Sequence, residues 1–299
     1  MTASKNIGSS EAATLPAGRR TVIVFFENVS LSAWIGFVIL AFWALVAALA
    51  PLVAPHGVGE IVSGSSYALP GEAGLLGSDY LGRDVFSRLV FGAQTTIKLA
   101  LASTFLAFFI GATAGFFAAL SGGRIDAFLS RLNDMMLSMP SIMLALIVVT
   151  ALGSGVPVLI GTVALIESVR VFRIARAGAL DVHAMEFIEI SIARGESRWW
   201  IMWHEILPNT LPLLLTDFGT RFNLAVLLIS SLGFLGLGIQ PPNADWGMLV
   251  RENLSGINYA AVAALAPALS ILTLNLGINL IVDWNLERMN RTISEEVRR

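Results

Sequence analysis

Four ionisable side chains stand inside otherwise apolar stretches of this sequence: Glu167 and Arg170, three residues apart, and Asp217 and Arg221, four apart. On a helix either spacing sets acid and base on one face, where they neutralise each other. Two uses suit them: a salt-bridge cluster that ties two helices together, or the polar lining or inner gate of a pathway. Other chemistry is scarce. There is no cysteine, which excludes disulfides, iron–sulfur clusters and thiol catalysis. His56, His183 and His204 stand at no metal-ligand spacing, so no metal site is expected and each reads as a polar surface or interfacial residue. The only lysines are Lys5 and Lys98, and neither belongs to a Gly-Lys-Ser/Thr phosphate loop. Nucleophile elbows, HExxH and dinucleotide-binding glycine patterns are missing too, and Gly153-Ser154-Gly155 reads as a turn. The chain is expected to be no enzyme and to bind no cofactor.

The elements that position these charges are written in the composition. Of 299 residues, 56% are hydrophobic and only 13% charged, with a mean hydropathy of +0.75. A soluble domain carries about 25% charged residues. The apolar residues are gathered into long runs, so lipid faces most of the chain. The net charge of −2 gives no reason to expect a nucleic-acid partner. Six runs, near 31–54, 96–120, 132–152, 156–175, 209–238 and 259–282, are long enough to cross about 30 Å of hydrocarbon as helices. Unbroken runs of this kind exclude a β-barrel, whose strands alternate. The expected fold is an all-α, multi-pass membrane domain over 31–285, after an N-terminal segment 1–30 and before a tail 286–299. Within the first segment, Val22–Phe26 is short enough to lie on the membrane surface.

Basic residues set the orientation. With the N-terminus inside, Arg19, Arg20, Arg124, Arg131, Arg173, Arg176, Arg194 and Arg198 fall on the inner side, whereas Arg83, Arg88, Lys98 and Arg251 fall outside. Both termini are therefore expected in the cytoplasm. At about 1.5 Å per residue, Glu167, Arg170, Asp217 and Arg221 occupy one layer in the inner half of the bilayer. Each would cost about 2.5–3.5 kcal/mol at a lipid-facing helix centre, so none should face lipid. The second run places Ser103, Ala107, Gly111, Gly115 and Ala119 at every fourth position. That smooth face admits a second backbone, from this subunit or from a partner. Asn275 and Asn279 form a polar stripe on the last run, suited to hydrogen bonds between helices.

The longest inner connection, about 176–208, reads Glu189-Ile190-Ser191, then Gly195 six residues after the glutamate, then Ile206-Leu207-Pro208-Asn209. It is expected to form two short helices, Met185–Ala193 and Arg198–Ile206, broken at Gly195. Pro208 then opens the fifth span, a favourable place for proline. Such a unit is a rigid helix–turn–helix able to transmit force from a docked soluble partner.

This loop resembles the coupling loop of bacterial ABC-importer permeases, written in that family as E-A-A, three residues, G, then I-x-L-P. Ile190 and Ser191 replace the two alanines. Other segments resemble the dipeptide/oligopeptide/nickel permease subfamily: Leu76 to Arg88; Gly122-Gly123 with Asp126, Arg131, Asp134 and Pro140; and Phe234 to Pro242 followed by Asp245-Trp246-Gly247. The closing pattern of that subfamily is represented only by Asp283, Glu287 and Asn290. The resemblance covers about residues 75–285 and points to the subunit type with a short first periplasmic loop. It implies the type I ABC importer fold, with a cytoplasmic coupling helix between spans four and five. Glu189, Ser191, Gly195, Ile206, Leu207 and Pro208 then couple the subunit to an ATPase. The implied partners are a second, homologous permease subunit, two ATPase subunits that use ATP and Mg, and a periplasmic solute-binding protein, at the bacterial inner membrane. Translocation would be by alternating access, of peptides or similar small polar solutes. A stand-alone secondary transporter is the competing reading; it calls for inverted repeats and helices broken at mid-membrane, and neither is visible in the sequence.

Overall fold

The computed structural model describes residues 30–297, with side chains through Arg288; the expected N-terminal segment, with Val22–Phe26, lies outside the described residues. Among those residues the regular structure is helical, with isolated bridges at Ile61–Arg83 and Ser78–Asp84 in the non-helical segment 54–84. The long helices are α1 (Leu31–Ala48), α3 (Val85–Ser121), α6 (Val156–His183), α9 (Leu207–Phe234) and α11 (Ala261–Val297). Between them lie the shorter α2 (Ala50–Val53), α4 (Gly123–Leu137), α5 (Ser141–Leu152), α7 (Glu186–Ala193), α8 (Arg198–Ile201) and α10 (Trp246–Asn253).

Local chemistry sets several boundaries. Ser30 caps α1, its hydroxyl accepting from the Ala33 N–H at 3.3 Å. Asp84 caps α3 by accepting from the N–H groups of Phe86 at 3.2 Å and Ser87 at 3.1 Å. Each carboxylate bond satisfies a donor that has no partner inside the helix. With 37 residues, α3 is about 55 Å long, so the expected second span is only its inner two-thirds. It stops at Gly122 and Gly123, at φ +59° and +53°, a backbone region that favours glycine. The last helix runs past the expected end of its span, through the segment read as a tail, to Val297.

Four helical stretches are long and apolar enough to cross a bilayer: α1, α3, Arg198–Phe234 and Ala261–Arg288. A fifth arises if α4 and α5 count as one span, but they meet at 88°. The sequence places a continuous helix there. Pro140 overrides it, because it lacks an N–H and disfavours the helical conformation of Met139. The run expected as the fourth span, now α6, is not apolar enough on composition because it carries Glu167, Arg170 and Arg173. It is nonetheless the centre of the fold, with half of its residues buried.

Packing around α6 explains how such a helix is accommodated. The small-residue face of α3 lies directly against it. A Cβ added at Gly111 would sit 2.5 Å from the Ser168 carbonyl oxygen, and one at Gly115 would sit 2.7 Å from that of Phe172. The close approach is thus made within this subunit. A second backbone contact joins α1 to α11, where a Cβ at Gly36 would meet the Gly277 oxygen at 2.7 Å. One apolar core holds Trp43, Leu99, Val163, Ile166, Ile229 and Trp246. A second, at the inner end, holds Phe116, Val182, Ile188, Ile201, Met202 and Ile206. Of the two asparagines on the last span, Asn279 bonds across helices, accepting from Asn223 Nδ2 at 2.9 Å. Asn275 instead donates to Ile271 O of its own helix at 2.7 Å.

Gly115→Ala is expected to destabilise the protein by about 1–3 kcal/mol through overpacking against a backbone that has no room to retreat. Gly115→Leu should abolish detergent-stable protein. Gly161→Ala, on α6, the facing helix, but with nothing within 4 Å of its Cβ, should leave stability equal or improved. Thermal unfolding in detergent, read by fluorescence-detected gel filtration, separates these cases; equal midpoints for Gly115→Ala and wild type would refute the close-packing account.

Candidate functional site

The connection between α6 and α9, expected on the inner side, is built as a capped unit. α7 ends in a Schellman motif: the Glu196 N–H bonds Ser191 O at 3.2 Å, and the Gly195 N–H bonds Ile192 O at 2.9 Å. Gly195 supplies the required left-handed residue at φ +84°, and a Cβ there would have no neighbour within 4 Å. Ser197 then caps α8, accepting from the Trp200 N–H at 3.2 Å. Ile188 and Ser191 are buried; Glu189 is exposed. The Ser191 hydroxyl lies 3.4 Å from Glu205 Oε1, which joins the two halves of the unit. Outward, Ile190 (60% exposed), Ile192 (50%) and Trp199 (58%) present apolar surface beside Glu189. These three are not among the coupling residues expected from the sequence, although their alternation with buried Ile188 and Ser191 is a usable signal.

Past this unit the path differs from the expected second helix ending at Ile206. α8 is a single turn, followed by a π turn at Met202–Ile206 that leads without a break into α9. The Leu207 N–H reaches back to Met202 O, five residues rather than four. Pro208 explains the widening, since it has no N–H and its ring crowds the preceding turn. Pro208 therefore sits in the second position of α9, with Asn209 Nδ2 donating to Glu205 O at 2.6 Å. Ile206 is fully buried and Leu207 partly so. The whole connection hangs on α6, and nearby Arg176 holds Asp126 of α4 through Nε at 2.5 Å and Nη2 at 2.6 Å.

The four membrane charges form one network. Arg221 donates to Asp217 through Nε at 3.0 Å and Nη2 at 2.8 Å. Arg170 Nη1 donates to Glu167 Oε1 at 2.9 Å. Two further links complete it, the first being the tie between two helices that the sequence suggested and the second, to Ser141, going beyond it. Arg221 Nη1 lies 3.6 Å from Glu167 Oε2, tying α9 to α6, and Arg170 Nη2 donates to Ser141 Oγ at 3.0 Å, at the start of α5. The shared depth of the four residues is the signal for the first link; Ser141 carries none. Glu167 is 3% exposed, Asp217 7% and Arg221 11%, whereas Arg170 is 33% exposed.

At the other end, residues 54–84 fold over the start of α3 and the end of α10. Asp79 takes Arg83 Nε at 2.7 Å and Arg88 Nη1 at 2.5 Å, and Glu252 takes the same Arg88 nitrogen at 2.7 Å and Arg83 Nη2 at 3.2 Å. Asp245 caps α10 through the Met248 N–H at 3.0 Å; burial pushes its carboxyl up to about 6. Trp246 is wholly buried, with Nε1 donating to Leu89 O at 3.0 Å. A Cβ at Gly247 would collide with Ser230 O, so only glycine lets α10 rest on α9.

Among the described residues the arrangement is that of an all-helical membrane protein, with a capped loop at one end and a charge network joining α6 and α9. The chain belongs to the family of binding-protein-dependent transport system inner membrane components, whose profile matches residues 111–291. It is 32% identical over 249 residues to the dipeptide transport system permease protein DppC of Alkalihalophilus pseudofirmus, covering 83% of this chain and 82% of that one. It is 35% identical over 250 residues to the probable D,D-dipeptide transport system permease protein DdpC of Escherichia coli, covering 82% and 83%. Against the glutathione transport system permease protein GsiD of Pectobacterium atrosepticum it is 33% identical over 214 residues, covering 72% and 71%. The chain is a multi-pass permease subunit of an ABC importer at the inner membrane, and its family works with substrate-binding and ATPase partners.

Proposed function

We propose that this subunit carries peptides or similar small polar solutes across the bacterial inner membrane by alternating access, paired with a second homologous permease and driven by two ATPase subunits. In this reading the chain crosses the membrane six times, with α4 and α5 as one bent crossing and α6 as a protein-enclosed one, and both termini are cytoplasmic. ATP and Mg belong to the ATPases. α7 is the coupling helix: Glu189, Ile190 and Ile192 meet the ATPase, Gly195 and Ser191 keep the unit rigid, and Ile206, Leu207 and Pro208 pass its motion into α9. Gly111 and Gly115 fix α3 to α6 so that the motion is not dissipated. Asp217 and Arg221 hold α9 against α6, and Arg170, with Glu167 behind it, faces the pathway.

The observation that carries this reading is the uninterrupted helical path from the capped inner loop to the charge layer. The peptide class follows from what the relatives transport. The test uses proteoliposomes holding this chain, its partner permease and both ATPases, with binding protein outside and ATP inside. Uptake of a labelled dipeptide is expected only with all components present. Accumulation by the chain alone, driven by an ion gradient, would instead establish a secondary transporter.

A further inference from the structure

The elbow where α4 meets α5 closes over α6 to form a cavity of about 330 Å³. Ser138, Ser141 and Arg170 supply its polar wall; Met139, Leu144 and Ile166 supply apolar wall. We propose that this cavity recognises the carboxylate of the transported peptide, with the Arg170 guanidinium as the binding group. The inference rests on the peptide-importer reading and adds a site to it.

Arg170 is singled out by its position in the network. It is the one charged residue of the four that also lines the cavity. Arg221 holds carboxylates on both sides, Asp217 and Glu167, whereas Arg170 reaches only the Glu167 carboxylate, through Oε1. Two acids and two bases make the cluster neutral as a whole, but its positive end is at Arg170 and faces open space. A guanidinium has five N–H donors in a fixed fork. Glu167 and Ser141 engage one each, which orients the group and leaves three donors free. A carboxylate accepts such a fork through two parallel charge-assisted bonds; a carboxamide does not. The volume lies at the lower end of the range of about 300–1,000 Å³ for small-ligand sites, which suits a terminal residue rather than a long chain. The apolar wall accommodates its side chain.

The anchors of the elbow make the site responsive to helix motion. Asp126, near the start of α4, and Ser141, at the elbow itself, are held by Arg176 and Arg170 of the same helix. These are six residues apart, about 9 Å along α6. A shift of α6 against α4 therefore changes the cavity directly.

The test measures equilibrium binding of radiolabelled alanyl-alanine and of its C-terminal amide to the complete detergent-solubilised complex without binding protein. Thermal midpoints are recorded in parallel. Wild type is expected to favour the free acid at least tenfold. Arg170→Gln should abolish the preference by weakening free-acid binding, and Arg170→Lys should keep part of it. Because Glu167 retains Arg221 in both variants, folding should survive. Equal binding of acid and amide by wild type, or an unchanged preference in folded Arg170→Gln or Arg170→Lys, overturns the carboxylate site. Failure of the wild-type complex to import any dipeptide with binding protein and ATP supplied overturns the peptide reading, a separate result.

Discussion

Arg221→Gln is expected to lose most of the assembled protein, and Arg221→Gln combined with Asp217→Asn is expected to recover it. Arg221 is the hub of the charge layer, bonded to Asp217 on its own helix and set 3.6 Å from Glu167 on α6. Without it, Asp217 is left at 7% exposure with its cation removed. Breaking a buried pair by removing one partner costs about 3–5 kcal/mol, whereas removing both charges is often neutral. The first loss removes a large share of a total stability of about 5–15 kcal/mol. The checks are yield after gel filtration and the thermal midpoint, measured for the two singles and the double. A single variant with wild-type yield, or a double no better than Arg221→Gln, would show that the network is not a structural tie. Uptake by the rescued double variant then tells whether this pair also acts on the solute; we expect it to be near normal.

The second large effect concerns coupling. Glu189→Lys reverses a charge on the exposed face of α7, and Gly195→Leu places a β-carbon at φ +84°. The left-handed conformation costs a non-glycine residue about 1–2 kcal/mol, enough to open the Schellman turn while leaving the buried anchors Ile188 and Ile206 in place. Both variants should reach the membrane in normal amount. Solute-stimulated ATP hydrolysis in the reconstituted complex should fall at least tenfold. Gly195→Asn is the informative control, because asparagine tolerates this conformation and should retain most activity. Stimulation unchanged in both Glu189→Lys and Gly195→Leu would remove this loop from the coupling route.

Much of the architecture was legible because apolar runs and helix-capping residues are local. The long runs became α1, α3, α9 and α11, and the charge pairs Glu167/Arg170 and Asp217/Arg221 bond at the spacings a helix dictates. The cross-link from Arg221 to Glu167 depended on the relative rotation of two helices, which no local pattern records. Pro140 was visible, but whether a proline kinks a helix or turns it through a right angle is decided by what the two arms pack against. Here the arms are held by Arg176 and Arg170, residues far along the chain. The same limit applies to the small-residue stripe of α3: its spacing announced a close backbone contact, while the identity of the second backbone came only from the structure. At this loop the break at Gly195 was readable, and the Ser197 cap and the π turn came only from the structure, since propensities describe only regular pitch.

That turn has a consequence for how the loop and the span can change over time. The buried positions Ile201 and Ile206 are five residues apart, while Ile206, Thr210 and Leu214 are four apart. At about 100° per residue, an ordinary α-helix would carry Ile206 some 140° off the line of Ile201. The wide turn carries one surplus residue and so holds both on the same side. Deleting one residue between 202 and 206 would close the turn to ordinary α pitch and keep Ile201 and Ile206 within about 40° of one line, whereas inserting one would swing the loop about 100° around the axis of α9, carrying Ile190 and Ile192 away from whatever they touch. No single substitution reproduces or repairs that rotation. The phase of this subunit is therefore set by length rather than by residue identity: a one-residue deletion should be tolerated across these five positions and a one-residue insertion should not.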